Sequence, residues 1–183
     1  MNNGKLIYAC AALTVLSIVV CGIAYPLAVA ILGTAVFPGG AGGSPIYYNG
    51  SVVGSKLIGQ NFSGQEYFHS RPSAVDYNAS ASGSSNLGPN NPALIAQVRE
   101  RMANDTAVPD AVLASGSGLD PDISVENALA QLPRVAAANG LSEDALKTLI
   151  ADRTQGRFLL WGEPRVNVLE LNLAVLDMKK VKV

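Results

Sequence analysis

Side chains that could act in catalysis or ligand binding are sparse in this chain of 183 residues. Because it has a single histidine, His69, a two-histidine zinc motif is impossible, and any Ser-His-Asp triad would depend on that residue. Its neighbours Tyr67, Phe68 and Arg71 favour a structured turn. We therefore expect a structural histidine, and a hydrolase that uses His69 is the alternative.

Two further groups of residues suggest ligand binding. The carboxylates of Asp120, Asp122 and Glu126 could bind calcium, but their spacing lacks the twelve-residue EF-hand loop. The run 116–118, Gly-Ser-Gly, could form a backbone nest for an anion or a plain turn. Neither of the standard glycine patterns for nucleotide binding is present. We expect no catalytic residue, metal site or cofactor in this chain.

An uncharged stretch at the N-terminus predicts a membrane anchor. No charged side chain lies between Lys5 and Lys56, and residues 6–25 are almost wholly apolar. Twenty residues rise about 30 Å as a helix, which is the thickness of the hydrocarbon core of a bilayer. The prediction is a single transmembrane anchor within residues 1–36, with its span at about 6–28.

The flanking charges predict which side of the membrane the rest of the chain occupies. Lys5 and the α-amino group precede the span, and basic residues favour the cytoplasmic side. The N-terminus is therefore expected in the cytoplasm of a single-pass cell-membrane protein, and the C-terminal domain outside. A cleaved signal peptide, with Ala28-Val29-Ala30 as its cleavage site, is the alternative.

Four small or weakly polar residues follow a helical spacing within the span. They are Cys10, Thr14, Ser17 and Cys21, at steps of four, three and four. Small residues let transmembrane helices approach closely, and hydroxyl groups can bond across to a neighbour. These residues predict a face that packs against a partner helix. The alternative is that they simply bond back to their own helix.

The remaining residues are enough for one folded domain. Residues 37–55 are rich in Gly, Pro and Ser and predict a linker, so the extracytoplasmic domain is expected at 56–183. After Lys5, 14 Asp and Glu face 12 Lys and Arg, a balance that argues against nucleic-acid binding. Residues 70–92 consist largely of turn formers and predict a long loop that is either ordered for a task or disordered.

The C-terminal half predicts mostly helices, so the expected class is α+β with helix dominant. Ser124, Ser142 and Asn167 are expected helix N-caps, Gly140 a helix end and Pro133 a break. Residues 52–62 predict a short strand-like start followed by turn residues, and a strand is expected over 158–161. Helices are expected at 92–102, 125–132, 134–139 and 143–150, and from 168 towards the C-terminus.

Six short runs stand out in order along the chain. They are GSKLIGQNF at 54–62, YFHSRPSA at 67–74, GSSNLG at 83–88, ASGSGLD at 114–120, PRVA at 133–136 and VNVLELN at 166–172. Together they resemble the C subunit of the potassium-transporting Kdp ATPase, the KdpC family, and the resemblance covers nearly the whole chain. The family-motif and candidate docking positions that it carries over are Gly59, Gln60, Tyr67, Phe68, Arg71, Pro72, Ser73, Ser85, Asn86 and Leu87.

The resemblance implies a non-catalytic accessory subunit of an ATP-driven potassium importer. Its partners would be a channel-like potassium-binding subunit, a P-type ATPase subunit and a small single-span subunit. ATP hydrolysis would belong to the ATPase subunit and potassium selectivity to the channel-like one. ATP and K⁺ are therefore expected at the level of the complex.

The resemblance leaves two roles to distinguish. The family is described as a catalytic chaperone that raises the affinity of the ATPase subunit for ATP, but an external domain cannot meet cytoplasmic ATP. A Leu-Ser-x-x-Gln motif proposed for nucleotide contact stands here as 141–145 without its glutamine, and Ser142 is explained by a helix cap.

We expect instead that the domain covers the external mouth of the channel-like subunit and stabilises the assembly. Arg71 is the expected docking residue, because a guanidinium binds carboxylates and carbonyls in a forked geometry. An internal turn is the alternative for the run 71–73. A membrane-tethered ligand-binding or sensor module outside the cytoplasm is the alternative function.

Overall fold

The computed structural model describes residues 3–104, 107–157 and 160–181. It divides into two compact units, Met1–Pro45 and Ile46–Val183. The protein is 54% helical with small sheets, which confirms the expected mixed, helix-dominated class.

The first unit contains one long apolar helix, Asn3–Val36. Its segments are α1 (Asn3–Ser17), a π-helical segment (Ile18–Ala24) and α2 (Tyr25–Val36). Mean hydropathy reaches 2.5 over an 18-residue window whose residues are not buried. At 1.5 Å per residue the helix extends about 50 Å, longer than the hydrocarbon core of about 30 Å. It therefore begins before and ends after the span expected at about 6–28.

We attribute the π-helical segment to Pro26, which lies two residues after its end. Proline has no N–H, and its ring collides with the carbonyl group four residues earlier, here that of Gly22. The wider i→i+5 bonding of a π segment accommodates such a residue within a continuous helix. A short helix, α3 (Pro38–Ala41), follows.

A β-hairpin occupies residues that we expected within the linker. Strands β1 (Pro45–Tyr48) and β2 (Ser51–Ser55) pair with each other across Asn49 and Gly50. These two residues have φ of +50° and +80°, as a type I′ turn requires, and Asn-Gly is its preferred sequence. The Asn-Gly pair is therefore the local signal that the composition of residues 37–55 concealed.

A small antiparallel sheet and three helices form the core of the second unit. The sheet has the order β3 (Asp122–Ser124), β5 (Arg165–Asn167), β4 (Thr154–Gln155), and Ile123 and Thr154 both lie opposite Val166. The helices are α6 (Val125–Asn139), α7 (Glu143–Arg153) and α8 (Val168–Val181). The buried core comprises Phe68, Ile123, Ala128, Leu132, Val135, Ala136, Leu146, Ile150, Val166, Val168, Leu171 and Val175.

Local side-chain chemistry sets the helix ends as expected. The side chains of Ser124, Ser142 and Asn167 each accept a hydrogen bond from the backbone N–H three residues later, at 3.0, 3.3 and 3.1 Å. Such caps satisfy N–H groups that have no partner within the helix. Helix α6 ends at Gly140, whose φ of +63° is the left-handed conformation that glycine adopts readily.

The break expected at Pro133 was wrong, because Pro133 lies inside α6. A proline in a helix interior costs about 3 kcal/mol. Leu132 and Val135 are only 5% and 0% exposed, and burying each contributes about 1.5–3 kcal/mol. The carbonyl group left without its donor belongs to Leu129, a residue at the helix surface, where water can bond to it.

The strand expected over 158–161 is not seen in the part that the structure describes. Residues 158 and 159 lie outside the described ranges, while Leu160 is in a turn and Trp161 in an isolated bridge. The strands that do form lie on either side, as β4 and β5. Helix α4 (Pro92–Asn104) begins at Pro92, as expected, and a one-turn helix α5 (Pro109–Val112) follows.

Candidate functional site

All ten family-motif positions lie in residues 56–91, which form neither helix nor strand. In such a segment the backbone N–H and C=O groups need partners from elsewhere if they are buried. Side chains of α6 and α8 supply many of these partners, as does the turn at 115–118.

The most deeply buried of these hydrogen bonds join Phe68 to Asn172 of α8. The backbone N–H of Phe68 donates to Asn172 Oδ1 at 2.7 Å, and Asn172 Nδ2 donates to the carbonyl oxygen of Phe68 at 2.9 Å. Phe68 is 0% exposed and Asn172 is 1% exposed. One amide thus satisfies both backbone groups of a residue whose ring belongs to the core.

Gln131 of α6 holds the next residue in the same way. The backbone N–H of His69 donates to Gln131 Oε1 at 2.7 Å, and Gln131 Nε2 donates to the carbonyl oxygen of His69 at 3.2 Å. His69 Nε2 lies 3.1 Å from the carbonyl oxygen of Gly64. These contacts place the lone histidine in a structured turn, the interpretation that we preferred to a catalytic one.

Arg134 and Asn139, also on α6, hold the preceding residues 65–67 through further hydrogen bonds. Arg134 Nη1 donates to the carbonyl oxygens of Gln65 and Tyr67 at 2.8 and 3.0 Å, and its Nη2 donates to Gln131 Oε1 at 2.7 Å. Asn139 Nδ2 donates to the carbonyl oxygen of Glu66 at 2.8 Å. Of these side chains, only Arg134 belongs to a run singled out in the sequence.

Gly59 and Gln60 fix the start of the segment. The backbone N–H of the buried Gly59 donates to the carbonyl oxygen of Leu119 at 2.7 Å, and a Cβ on Gly59 would collide with the carbonyl oxygen of Asp120. Gln60 Nε2 donates to the carbonyl oxygen of Val53 at 3.0 Å. Only glycine permits this close approach of two backbones.

Ser73 joins two of the family-like runs. Its hydroxyl donates to the carbonyl oxygen of Gly118 at 2.7 Å and accepts from the backbone N–H groups of Val75 and Tyr77 at 3.2 and 2.9 Å. Beside it, the N–H of Ser115 donates to the carbonyl oxygen of Pro72 at 2.9 Å. Hydrogen bonds therefore join the runs 67–74 and 114–120. We call these two runs, together with Gly59 and Gln60, the framework.

The Gly-Ser-Gly run is a turn with occupied amides. The N–H of Gly118 donates to Ser115 Oγ at 2.9 Å, and the N–H of Leu119 donates to Ser117 Oγ at 3.1 Å. An anion nest would need these N–H groups to be available. The geometry therefore favours the turn over the anion site.

Arg71, the expected docking residue, takes part in an internal ion pair. Its Nη1 lies 3.1 Å from Asp120 Oδ2, and the two side chains are 28% and 31% exposed. Its Nε is buried without a hydrogen-bond partner among the described residues. Arg71 is thus engaged in an internal contact, as the alternative interpretation of the run 71–73 expects, and its docking role stays a prediction.

Tyr77 also forms a hydrogen bond with this turn. Its hydroxyl donates to the carbonyl oxygen of Arg71 at 2.8 Å. Burial raises the pKa of the Tyr77 phenol above its usual value; the nearby Arg101 partly opposes this shift, and Asp76 adds to it. The phenol therefore stays protonated and able to donate in the folded protein.

Two of the three acidic residues considered for calcium, Asp120 and Asp122, are used in structural contacts. Asp122 Oδ2 pairs with Arg165 Nε at 2.9 Å, and Asp122 Oδ1 accepts from Asn167 Nδ2 at 3.2 Å. Glu126 is exposed on α6. Residues 3–104, 107–157 and 160–181 contain no group of three or more His, Cys, Asp or Glu side chains able to hold a metal ion.

A cleft of about 260 Å³ lies beside these ion pairs. Its charged lining is mixed, with Arg71 and Arg165 next to their partners, Asp120 and Asp122. Asp110 also lines the cleft and accepts from the backbone N–H and the hydroxyl of Ser124, at 2.8 and 3.1 Å. These pairings suit a structural joint between β3, β5 and the framework.

The family-like loop is exposed at residues 78–82 and again at residue 86, with half-buried residues between them. The N–H of Gly83 donates to the carbonyl oxygen of Ser117 at 2.9 Å. Beyond it, Ser85 and Leu87 are half-buried and Asn86 is exposed, with a φ of +52°. We call residues 84–88 the loop tip. Of the ten carried-over positions, Asn86 is the only exposed one.

The remaining candidate residues have other contacts. Ser142 caps α7, and the cap accounts for its hydroxyl. Thr14 Oγ1 in the apolar helix donates to the carbonyl oxygen of Cys10 at 2.9 Å, a bond back to its own helix. All four residues of the expected partner-helix face are exposed, namely Cys10, Thr14, Ser17 and Cys21. Packing of this face against a partner helix stays a prediction.

Comparison with known proteins covers both units. Residues 7–177 match the family model described as KdpC, K⁺-transporting ATPase, c chain. This chain belongs to the KdpC family. The potassium-transporting ATPase KdpC subunit of Acidobacterium capsulatum is 53% identical over 173 residues, covering 90% of this chain and 94% of that protein.

Two other KdpC subunits are similarly related. The subunit of Rhodopseudomonas palustris strain BisB5 is 50% identical over 179 residues, covering 86% of this chain and 89% of that protein. The subunit of Methylorubrum extorquens is 50% identical over 181 residues, with coverages of 87% and 90%. The resemblance inferred from the six runs is thus confirmed, and much of the KdpC-like motif set forms the internal framework.

Proposed function

We propose that this KdpC-family chain is a non-catalytic accessory subunit of an ATP-driven potassium importer, anchored in the cell membrane by the helix Asn3–Val36. The relatives are named as subunits of a potassium-transporting ATPase, which supports the transport role. The partners in this proposal are a channel-like potassium-binding subunit, a P-type ATPase subunit and a small single-span subunit.

The second unit lies outside the cytoplasm in this proposal. Lys5 is the only charged side chain before Lys56, and it precedes the apolar helix. Basic residues beside a span favour the cytoplasmic side, so this asymmetry supports a cytoplasmic N-terminus. The unit that carries the KdpC framework would then face the medium from which potassium enters.

This orientation separates the domain from cytoplasmic ATP. In the proposal, the ATPase subunit binds and hydrolyses ATP, and the channel-like subunit selects K⁺. Any effect of this chain on ATP affinity, as in the chaperone description, would then pass through its contacts with the other subunits. The role of Ser142 as a helix cap supports this division.

The docking role is carried by one observation: Asn86 is the only exposed residue among the ten carried-over positions, and the loop just before it is held by the hydrogen bond from Gly83 to Ser117. This bond holds the base of the loop tip in place, which reduces the conformational entropy lost when the tip binds a partner. Arg71 supports the framework through Asp120. We therefore assign docking on the channel-like subunit to the loop tip around Asn86, with Arg71 as its support.

Impermeant thiol labelling tests the orientation. In a Cys10→Ser/Cys21→Ser background, Thr148→Cys places a thiol at an exposed position of α7, and Asn3→Cys places one before the span. A membrane-impermeant maleimide should label the first variant in intact cells and the second only after permeabilisation. The reverse pattern would refute the proposed topology.

Co-purification tests the assembly. The tagged full chain should isolate ATPase and channel-like subunits from membranes of cells grown at limiting potassium. A chain that purifies alone under these conditions, with a small molecule bound in the cleft beside Asp120, would instead support the ligand-binding alternative.

A further inference from the structure

A groove of about 530 Å³ lies between the β-hairpin and α8, within the second unit. Tyr48, Leu176, Lys179 and Lys180 line it. Its floor is apolar, formed by the Tyr48 ring, Leu176 and the carbon stems of the lysines. The two ammonium groups belong to exposed residues at the end of α8.

The groove is organised by contacts around Tyr48. Lys180 Nζ lies 4.3 Å from the centroid of the Tyr48 ring and 3.4 Å from Asn49 Oδ1. The Tyr48 hydroxyl donates to Asp177 Oδ1 at 2.8 Å, which engages the one acidic side chain in this part of α8. The hairpin and the helix end therefore present an apolar surface whose rim carries two ammonium groups and the hydrogen-bonded carboxylate of Asp177.

More apolar surface lies on the hairpin and just after it. Tyr47 is 66% exposed, Val52 is 59% exposed and Leu57 is 57% exposed. The two-residue turn places Tyr47 opposite Val52 on one face of the hairpin. Aromatic residues with lysines whose stems cover apolar surface are typical of segments at a membrane–water interface.

The position of the groove in the sequence points to the same environment. Only residues 37–47 separate Tyr48 from the end of the apolar helix at Val36. A surface tethered to a membrane by so short a segment meets lipid headgroups at high effective concentration. The lysines lie just beyond residues 7–177, the part that matches the KdpC family model.

We propose that this groove binds the headgroup and upper acyl region of an anionic phospholipid, and so holds the hairpin and the end of α8 on the membrane surface. The ammonium groups of Lys179 and Lys180 pair with the phosphate, and the Tyr48 ring and Leu176 contact the first methylene groups. This lipid contact would apply on whichever face of the membrane the unit lies, so it is independent of the proposed orientation.

The experiment uses the full chain in lipid nanodiscs. Ser51→Cys, in the Cys10→Ser/Cys21→Ser background, carries an environment-sensitive fluorophore next to Tyr48. Emission is compared between phosphatidylcholine discs and discs with increasing phosphatidylglycerol. Each lysine near an anionic surface contributes a factor of about five, so the two together should shift the bound-to-free ratio about 30-fold.

Matched variants make the test specific to the groove. Lys179→Gln/Lys180→Gln should abolish the dependence on phosphatidylglycerol. Lys147→Gln/Arg99→Gln, which removes two exposed positive charges from other helices, should retain it. Circular dichroism of each variant shows whether the fold is intact, and Lys179→Arg/Lys180→Arg should restore binding if the charge is what matters.

Four results would overturn the proposal. They are equal emission in both types of disc, an unchanged response of the Lys179→Gln/Lys180→Gln variant, and loss of the response on adding inorganic phosphate, which would indicate a free-anion site. The fourth is a blue shift that requires co-reconstituted partner subunits, which would indicate a protein occupant.

Discussion

The side-chain amide of Asn172 and the backbone of Phe68 form a closed pair of hydrogen bonds across 104 positions of sequence. Both residues are almost fully buried. This pair ties the KdpC-like turn at 67–74 to α8 in the way that a neighbouring strand would. The segment needs such partners because it forms neither helix nor strand.

Loss of the Asn172 amide should therefore destabilise the second unit. Asn172→Leu has a similar volume but leaves the N–H and C=O groups of Phe68 buried without partners, at about 1–3 kcal/mol for each group. We expect a loss of about 2–5 kcal/mol in the free energy of unfolding, measured by urea denaturation of the full chain in detergent. Asn90→Leu, at an exposed position, should change it by less than about 0.5 kcal/mol. Equal effects of both substitutions would contradict a stabilising role of the hydrogen bonds between Asn172 and Phe68.

Two neighbouring glycines provide a second matched pair. Gly118 has a φ of +67°, and a Cβ there would lie 2.6 Å from Val75 Cγ2 and 2.7 Å from the carbonyl oxygen of Gly83. Gly118→Ala should cost about 2–3 kcal/mol, because left-handed backbone strain of about 1–2 kcal/mol adds to the steric overlap. Gly116→Ala meets open space and should be nearly neutral. Faster proteolysis within residues 73–91 of the Gly118→Ala variant alone would locate the damage.

The Tyr77 phenol predicts a pH dependence of stability. Its pKa is raised by burial above the usual value of 10.0, so the folded state keeps the phenolic proton at a pH where the unfolded state loses it. The resulting stability is fully present below pH 10 and is lost as the pH rises through the folded-state pKa. Unfolding free energies measured from pH 8 to 11 should fall at the alkaline end.

Tyr77→Phe should flatten that alkaline fall. It should also cost about 1 kcal/mol at neutral pH, because the hydroxyl no longer donates to the carbonyl oxygen of Arg71. Tyr47→Phe, on an exposed side chain of the hairpin, serves as the control and should keep the wild-type profile. If the Tyr77→Phe variant loses unfolding free energy at alkaline pH as the wild type does, titration of Tyr77 is not the cause of that loss.

The helix ends could be predicted from sequence because their causes are local. Ser124 and Asn167 cap the N–H group three residues later, and Gly140 adopts the left-handed backbone conformation with little strain. Each needs only its immediate neighbours to act. The Asn49-Gly50 turn is equally local, but it lies in a stretch whose Gly, Pro and Ser content predicts a linker.

The framework could not be predicted in the same way because its partners are distant. Gln131 and Asn172 carry no local pattern that marks them as amides bonded to the backbone of 68–69. The partner of Arg71, Asp120, lies 49 positions away, and without it the guanidinium looks available for docking. Pro133 shows the complementary case, in which tertiary burial around a helix outweighs a local preference.

The apolar helix carries a prediction that depends on its partners. If the small-residue face packs against another helix, Thr14→Leu with Ser17→Leu should weaken co-purification of the other subunits, because the larger side chains prevent close approach. Ala9→Leu with Ala12→Leu adds comparable bulk at other positions of the helix and should be tolerated. Retention of all subunits by the first variant would show that Thr14 serves its own helix, as its bond to the carbonyl oxygen of Cys10 allows.

Docking through the loop tip predicts that association and stability can be separated. Asn86→Gly removes an exposed side chain while permitting the φ of +52°, so the free energy of unfolding should change by less than about 0.5 kcal/mol. Association with the other subunits, measured by co-purification and by potassium uptake, should fall about tenfold, as for a contact at the centre of an interface. Asn61→Gly, at an exposed asparagine away from the tip, should leave both quantities unchanged.

Arg71→Ala should lower stability by about 1 kcal/mol through its broken pair with Asp120, and association only in proportion. If Arg71→Ala abolishes association without a loss of stability while Asn86→Gly has no effect, the docking residue is Arg71 and the assignment to the loop tip is wrong.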